Sequence, residues 1–312
     1  GRSLAVLTDE VSTAYNALST GTEPALAPLA VQYRDYAAWQ QDRLGSGALE
    51  KARSYWLDQL GGGGLEPLEL PTDRPRPADR SFRGALLDRT IDAEALAAFQ
   101  QLCRDEKVTL FAGLSALLRV QLLRYTGQTD FVLGTSTFGR PAPELQDQIG
   151  CYINTLALRD TLEPQEGFRA LLHRVQNTLL DAMQHGEYPF DQVVRELGAT
   201  TEVNRNALFD VLVSMGQGWG SWGGELEGLT VRPTDPPLAH SKLDLSITFE
   251  ESPDGLKASA AYATDLFDAD RITRLLEHFE VLLRAATATP DLPLQHLPLL
   301  TDHEHHRVTV EF

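Results

Sequence analysis

At 312 residues the chain is long enough for one large domain or two small ones with a buried core, and its make-up is globular, 42% hydrophobic and 23% charged. The formal charge of −17 argues against nucleic-acid binding, because a phosphate backbone needs a basic face to neutralise it; it favours solubility instead. Two cysteines give neither a disulfide framework nor a metal spacing, no apolar run reaches bilayer-spanning length, and no secretory signal is visible, so a soluble protein in a reducing cytoplasm is expected.

Leu4, Leu7, Val11, Tyr15 and Leu18 recur at helical spacing and predict a helix with one packed face that ends near Gly21. After a loop with Pro24 and Pro28, helices are predicted over 33–43 and 49–60. The second carries Tyr55, Trp56 and Leu60 on one side and is stopped by the glycines at 61–64. Residues 67–77 read as an extended linker. From Phe82 strands and helices alternate. A strand over 84–91 leads into a helix with Asp92 as N-cap and Leu96 and Phe99 inward. Thr109 caps the next helix, over 110–125, which is apolar on most faces and therefore buried. Strands are predicted over 131–137 and 149–158, a helix over 168–183, a strand over 208–215 and a glycine and tryptophan loop over 216–228. Strands over 243–250 and 256–264 flank Ser252-Pro253-Asp254-Gly255, which suits a tight hairpin turn, and a last helix runs over 268–286. Cys103 on a helix and Cys151 inside an apolar strand are both expected to pack as small hydrophobes.

The stretch His185-Gly186-Glu187-Tyr188-Pro189-Phe190-Asp191-Gln192-Val193-Val194-Arg195-Glu196-Leu197 reads as a polar turn reaching Pro189, whose fixed φ and missing N–H suit the first turn of a helix. Phe190, Val193, Val194 and Leu197 form its buried stripe, and Gly198 closes it. Taken alone, Tyr188 and Phe190 are ordinary core residues. His303-Glu304-His305 invites a metal reading, but structural zinc sites gather four ligands at defined spacings and nothing complements this cluster. No metal is implied, and the pair His305-His306 reads as solvated linker.

The same stretch resembles the HxxYPFD motif of the condensation domains of nonribosomal peptide synthetases, and further motifs of that family stand around it in the family's order. Tyr33-Arg34-Asp35-Tyr36-Ala37-Ala38-Trp39 is similar to YxDFAxW, and Ile149-Gly150-Cys151-Tyr152-Ile153-Asn154-Thr155-Leu156-Ala157-Leu158-Arg159 to IGxFVNTLxLR. Asn204-Arg205-Asn206-Ala207-Leu208-Phe209 is similar to SRNPLF, residues 132–140 to the floor-loop region, and Lys242-Leu243-Asp244-Leu245 to the KFDL strand. The catalytic HHxxxDG motif is absent. The opening Gly1-Arg2-Ser3-Leu4 looks like the residues that follow its Asp, so the catalytic histidine would lie upstream.

The resemblance implies an α/β, two-lobed, chloramphenicol-acetyltransferase-like fold with the first lobe incomplete in this chain. Residues 1–79 would be the C-terminal part of the N-lobe plus the interlobe linker, 80–296 the C-lobe, and 297–312 an exit linker toward an adenylation domain. The implied reaction forms an amide between a donor aminoacyl or peptidyl thioester and an acceptor aminoacyl thioester. Both ride on the phosphopantetheine of donor and acceptor carrier proteins, and the domain binds no cofactor of its own. Carrier proteins are commonly acidic, so their docking would need a local basic or apolar patch. Without the histidine motif this chain alone is expected to be inactive. The alternative is a silent condensation-like domain that recruits a carrier protein or a tailoring enzyme; a stand-alone acyltransferase using coenzyme A is disfavoured by the exit linker.

The resemblance assigns no catalytic residue to this chain. It implies that Arg140 pairs with the Asp of HHxxxDG, close to Gly1, as structural support. Asn154, Thr155, Tyr188 and Asn206 are the candidates for the substrate tunnel. A buried amide or hydroxyl at 154 and 155 must find partners, either substrate or neighbouring backbone. Residues 204–206 are equally suited to fixing a turn through side-chain to backbone bonds. The loop over 216–224, with Trp219 and Trp222, lies either near the tunnel or on the surface.

Overall fold

A computed structural model describes residues 2–63, 65–199, 204–216, 225–231 and 239–311; Gly1 and the segment with Trp219 and Trp222 lie outside the described residues. Three helices come first: α1 (Arg2–Ser19), α2 (Tyr33–Gly45) and α3 (Glu50–Leu60). Asp35 closes the start of α2 by accepting from the Gln32 amide at 2.8 Å. Beyond the extended stretch come β1 (Gly84–Asp92), α4 (Ala93–Asp105), α5 (Leu110–Thr126), β2 (Asp130–Thr137), β3 (Asn154–Thr161), α6 (Phe168–Gln184) and α7 (Phe190–Glu196). They are followed by β4 (Val211–Met215), β5 (Leu245–Ser252), β6 (Gly255–Ala263), α8 (Ala269–Ala288) and α9 (Asp302–His306). Asp92 and Thr109 cap α4 and α5 as expected, accepting from the Ala95 and Ala112 amides at 2.8 and 3.2 Å.

Among the described residues the strands form one open six-stranded sheet in the order β1-β6-β5-β4-β2-β3. The short β4 pairs in parallel with β2 and β5, and the other pairings are antiparallel. The β5–β6 hairpin turns at the Pro-Asp-Gly site. Gly255 there takes φ +130°, and a Cβ on it would lie 2.0 Å from the Ile91 carbonyl oxygen, so the close approach of β1 requires glycine. Residues 112–123 of α5 are buried throughout, between the sheet and its neighbours. One hydrophobic cluster runs from Trp56 and Leu60 of α3 through Leu117 to Phe279 of α8, so α3 and the sheet share a core.

Buried charge pairs pin these layers. Arg119 of α5 and Asp160 of β3 are both fully buried and meet at 2.8 Å; Arg119 also donates to Ser115 Oγ, and Asp160 accepts from Thr178. The linker is held in the same way. Arg76 grips the buried Asp244 carboxylate with both terminal nitrogens, and Arg80 stands 3.7 Å from it. Arg76 also donates to the Asn204 carbonyl, while Asn204 Nδ2 donates back to Pro77. The Lys-Leu-Asp-Leu and Asn-Arg-Asn segments thus clamp the linker to the sheet.

Four expectations are corrected. The face of α1 that carries Leu4, Leu7, Val11 and Leu18 is exposed, and the buried residues of that helix are Val6, Thr8 and Ser12. Residues 149–153 are not strand: the β2–β3 register ends at Thr137 opposite Asn154, so nothing pairs with the preceding residues. Cys151 is accordingly exposed rather than in the core, whereas Cys103 is buried. Strand β4 begins at Val211 rather than 208, because Leu208 takes φ +70°, which no strand accommodates. Within the expected exit linker, Thr301 and Glu304 form a reciprocal capping box that starts α9. Among the described residues no single helix is long and apolar enough to cross a bilayer.

Asp160→Ala leaves a fully buried guanidinium unpaired and is expected to lower stability by about 3–5 kcal/mol in urea denaturation. Removing both charges together, with Arg119→Met and Asp160→Leu, is expected to recover most of that loss, because the desolvation penalty disappears with them.

Candidate functional site

The loop over 138–153 joins β2 to β3 and forms one wall of the site. Gly139, at φ +61°, presses against the Tyr152 carbonyl so closely that a Cβ would overlap it. Arg140 follows. Its guanidinium lies 4.1 Å from the centre of the Tyr152 ring, donates to Ser3 Oγ at 2.8 Å and reaches the Leu145 carbonyl. Ser3 in turn donates to the Gly150 carbonyl at 2.8 Å and accepts from the Gly150 amide at 3.1 Å. Arg2 adds contacts to the Gln146 carbonyl and Asp147. Burial pulls the Arg140 pKa down, although it remains a cation at any working pH. Arg140 therefore ties the first turn of α1, two residues from Gly1, to the β2–β3 loop.

A second wall is α2. Tyr33, Tyr36 and Trp39 recur every third residue and so share one face of the helix. Tyr33 and Tyr36 pack on Tyr152 with ring centres 5.1 and 4.6 Å away, and the Tyr33 hydroxyl donates to the Cys151 carbonyl at 2.9 Å. One turn on, Arg43 stacks over Trp39 at 4.8 Å and pairs with Glu187 at 2.6 Å.

The third wall is the turn over 184–191, and Asn154 shapes it. Asn154 Nδ2 donates to the Gly186 and Tyr188 carbonyls at 2.9 and 2.8 Å, and its Oδ1 accepts from the Thr155 and Phe190 amides at 2.9 and 3.1 Å. Both donors and both lone pairs of the amide group are thereby engaged by backbone. Trp56 Nε1 donates to the His185 carbonyl at 2.9 Å, and the His185 ring stacks on Tyr55 with centres 4.4 Å apart. Burial lowers the His185 pKa, which favours the neutral ring.

These walls enclose an open cavity of about 450 Å³, lined by Tyr36, Trp39, Arg43, Arg140, Cys151 and Glu187, with Asn154 at its floor. Arg140 and Asn154 come together here. The other candidates stand apart. Thr155 faces Ser136 in the strand register. Tyr188 is buried and turns toward a neighbouring groove of about 350 Å³, with its hydroxyl bonded to Glu196; burial and then Glu196 push its pKa up to about 12. Asn206 gives its backbone amide to Asp210 at 3.1 Å, and its buried Nδ2 has no partner among the described residues. Gly1 lies outside the described residues.

Trp39, Arg43, Cys151 and Glu187 were not legible as site residues, although the i, i+3, i+6 spacing of Tyr33, Tyr36 and Trp39 was a usable signal for the wall they form. Among the described residues no group of three or more His, Cys, Asp or Glu side chains converges as a metal site. The cavity offers aromatic faces, two arginines, two carboxylates and a thiol, and among the described residues no imidazole lines it. Such a lining can position and shield a reactant.

Asn154→Ala is expected to lower stability by about 2–4 kcal/mol, at roughly 1 kcal/mol per lost bond, and to speed amide exchange at 186–190. Thiol titration of the native chain is expected to count Cys151 alone. Burial pushes the Cys103 thiol up to about 12, so it reacts only after unfolding.

The family model for the Condensation domain matches residues 1–309. The chain is 40% identical over 315 residues to a linear gramicidin synthase protein of Brevibacillus parabrevis, across 100% of this chain and 4% of that protein. It therefore spans only a small part of the length of the curated relatives it matches. Among solved structures it is similar to the X-domain from teicoplanin biosynthesis, with 28% identity and a TM-score of 0.86 over 96% of this chain and 69% of that one. It is also similar to a chain in the complex of the X-domain and OxyB, with 28% identity and a TM-score of 0.84 over 96% of this chain and 67% of that one. The motif residues that surround the cavity and the family match along nearly the whole sequence agree: the chain belongs to the condensation domain family of nonribosomal peptide synthetases.

Proposed function

We propose that the chain is the larger part of an amide-forming condensation domain, in which an acceptor aminoacyl amine attacks a donor aminoacyl or peptidyl thioester and releases the donor thiol. The observation that carries this reading is the family match over residues 1–309, with four of the six matched motifs lining one cavity. Both substrates would arrive on the phosphopantetheine arms of donor and acceptor carrier proteins, and the domain itself would hold no cofactor and no metal. Bringing amine and thioester together turns a bimolecular step into an effectively unimolecular one, a gain of several kcal/mol.

On this reading the histidine of HHxxxDG belongs to the segment before Gly1, where it orients the amine or takes its proton, and the chain by itself forms no amide. Arg140 is a positioning residue: through Ser3 it holds the first turn of α1, and hence the approach to that motif. Asn154 maintains the turn that carries Glu187, while Thr155, Tyr188 and Asn206 support the surrounding framework. The division into 1–79, 80–296 and 297–312, a downstream adenylation domain in the same polypeptide, and a cytoplasmic location complete the proposal.

One observation favours a second reading, that of a silent module which recruits a partner: the likeness to the X-domain, which is also solved in complex with OxyB. A carrier-loaded assay of the intact parent protein separates the two. The first reading expects an amide product from donor and acceptor thioesters, and expects Arg140→Ala to slow it by about 10–100-fold with folding intact. Failure of the intact protein to form product, together with retention of a tailoring enzyme in gel filtration, sinks the catalytic reading.

A further inference from the structure

Residues 302–311 form α9 and the helical turn after it, and none of their side chains is buried. Val308 and Val310 are 59% and 67% exposed. Apolar burial therefore does not hold this segment in place, yet Glu304 reaches a buried group of the body. His278 of α8 is 8% exposed, and its Nε2 lies 2.8 Å from Glu304 Oε2. The opposite nitrogen, Nδ1, lies 2.7 Å from the Tyr125 hydroxyl of α5. A neutral imidazole satisfies both contacts when Tyr125 donates to Nδ1 and Nε2–H donates to the carboxylate. The same Glu304 oxygen accepts from the Thr301 amide at 3.0 Å and its hydroxyl at 2.9 Å, so the cap of α9 and the contact to the body share one atom.

The chain just before this segment is firmly anchored. Leu297 is 1% exposed, and its carbonyl accepts from Arg124 at 2.6 Å. Between this anchor and the Thr301 cap lie only Pro298, Leu299 and Leu300.

We propose that residues 302–311 are a detachable arm, latched to the body by Glu304 on His278, whose other ring nitrogen Tyr125 holds, and that this latch sets the direction in which the chain runs on from Leu297. Water replaces polar contacts of this kind at small net cost, so an arm without buried apolar surface opens locally while the core stays folded. Leu299 still packs against the core, so the hinge lies at the exposed Leu300 before the Thr301 cap.

The test is amide hydrogen exchange on the 312-residue chain and its Glu304→Gln variant, alone and combined with His278→Gln. Glu304→Gln is expected to speed exchange over 302–311 by about tenfold, the loss of a hydrogen bond to a charged group, with α5 and α8 unchanged. In the His278→Gln background the same substitution is expected to add little. Tryptic cleavage after Arg307 is expected to accelerate in step with exchange. Unchanged exchange overturns the proposal, as does acceleration spread equally over α5 and α8. An equal effect in the His278→Gln background overturns it too, since the effect then comes from the lost cap alone.

Discussion

The site depends on one amide. Asn154 stands where β3 loses its partner strand, and its side chain takes over the bonding that a strand would have supplied. Two carbonyls and an amide of the turn over 186–190 close on it. That turn fixes where Glu187 stands, Glu187 fixes Arg43, and Arg43 lies against Trp39. A buried polar group must be bonded, and the backbone of an irregular turn must be bonded as well; Asn meets both demands with a donor pair and an acceptor on one rigid plane. A Gln would place that plane one methylene further out, and an Asp would present no donors.

Acidity has a structural use in this chain. Many of its carboxylates engage arginines that join segments far apart in sequence: Asp244 with Arg76, Glu69 with Arg205, Glu196 with Arg53, Glu187 with Arg43. The Asp244 carboxyl shows the balance involved, since burial raises its pKa and Arg76 works against that rise. Such pairs confer register more than stability, because desolvation offsets much of the attraction in the buried Arg76–Asp244 pair and solvent screens the more exposed ones. In this chain they decide how the linker and the N-terminal helices lie on the sheet.

Most of the fold was legible in the residues. Asp92 and Thr109 announced the starts of α4 and α5, Pro-Asp-Gly announced the β5–β6 turn, and the all-round apolar pattern of 110–125 announced a central helix. The errors fell where pairing partners decide the outcome. Residues 149–153 have strand-like composition, but a strand needs a neighbour and β2 ends at Thr137, so Cys151 faces the cavity instead of the core. The start of α9 was legible in principle from Thr301 and Glu304, a capping-box spacing hidden beside a conspicuous run of histidines.

Sequence by itself determined most element types, the buried faces of α3, α4 and α5, and the family, because period, caps and ordered motifs are local properties of the chain; the apolar stripe of α1 named a face that the fold leaves exposed. Only the tertiary structure decided which motif residues share a cavity. It set Arg140 against Ser3 across 137 residues and Arg43 against Glu187 across 144, and it turned Tyr188 away toward Glu196. The physical reason is that side-chain contacts between distant segments depend on how the sheet and helices pack, and a linear pattern specifies a buried face without naming what will cover it.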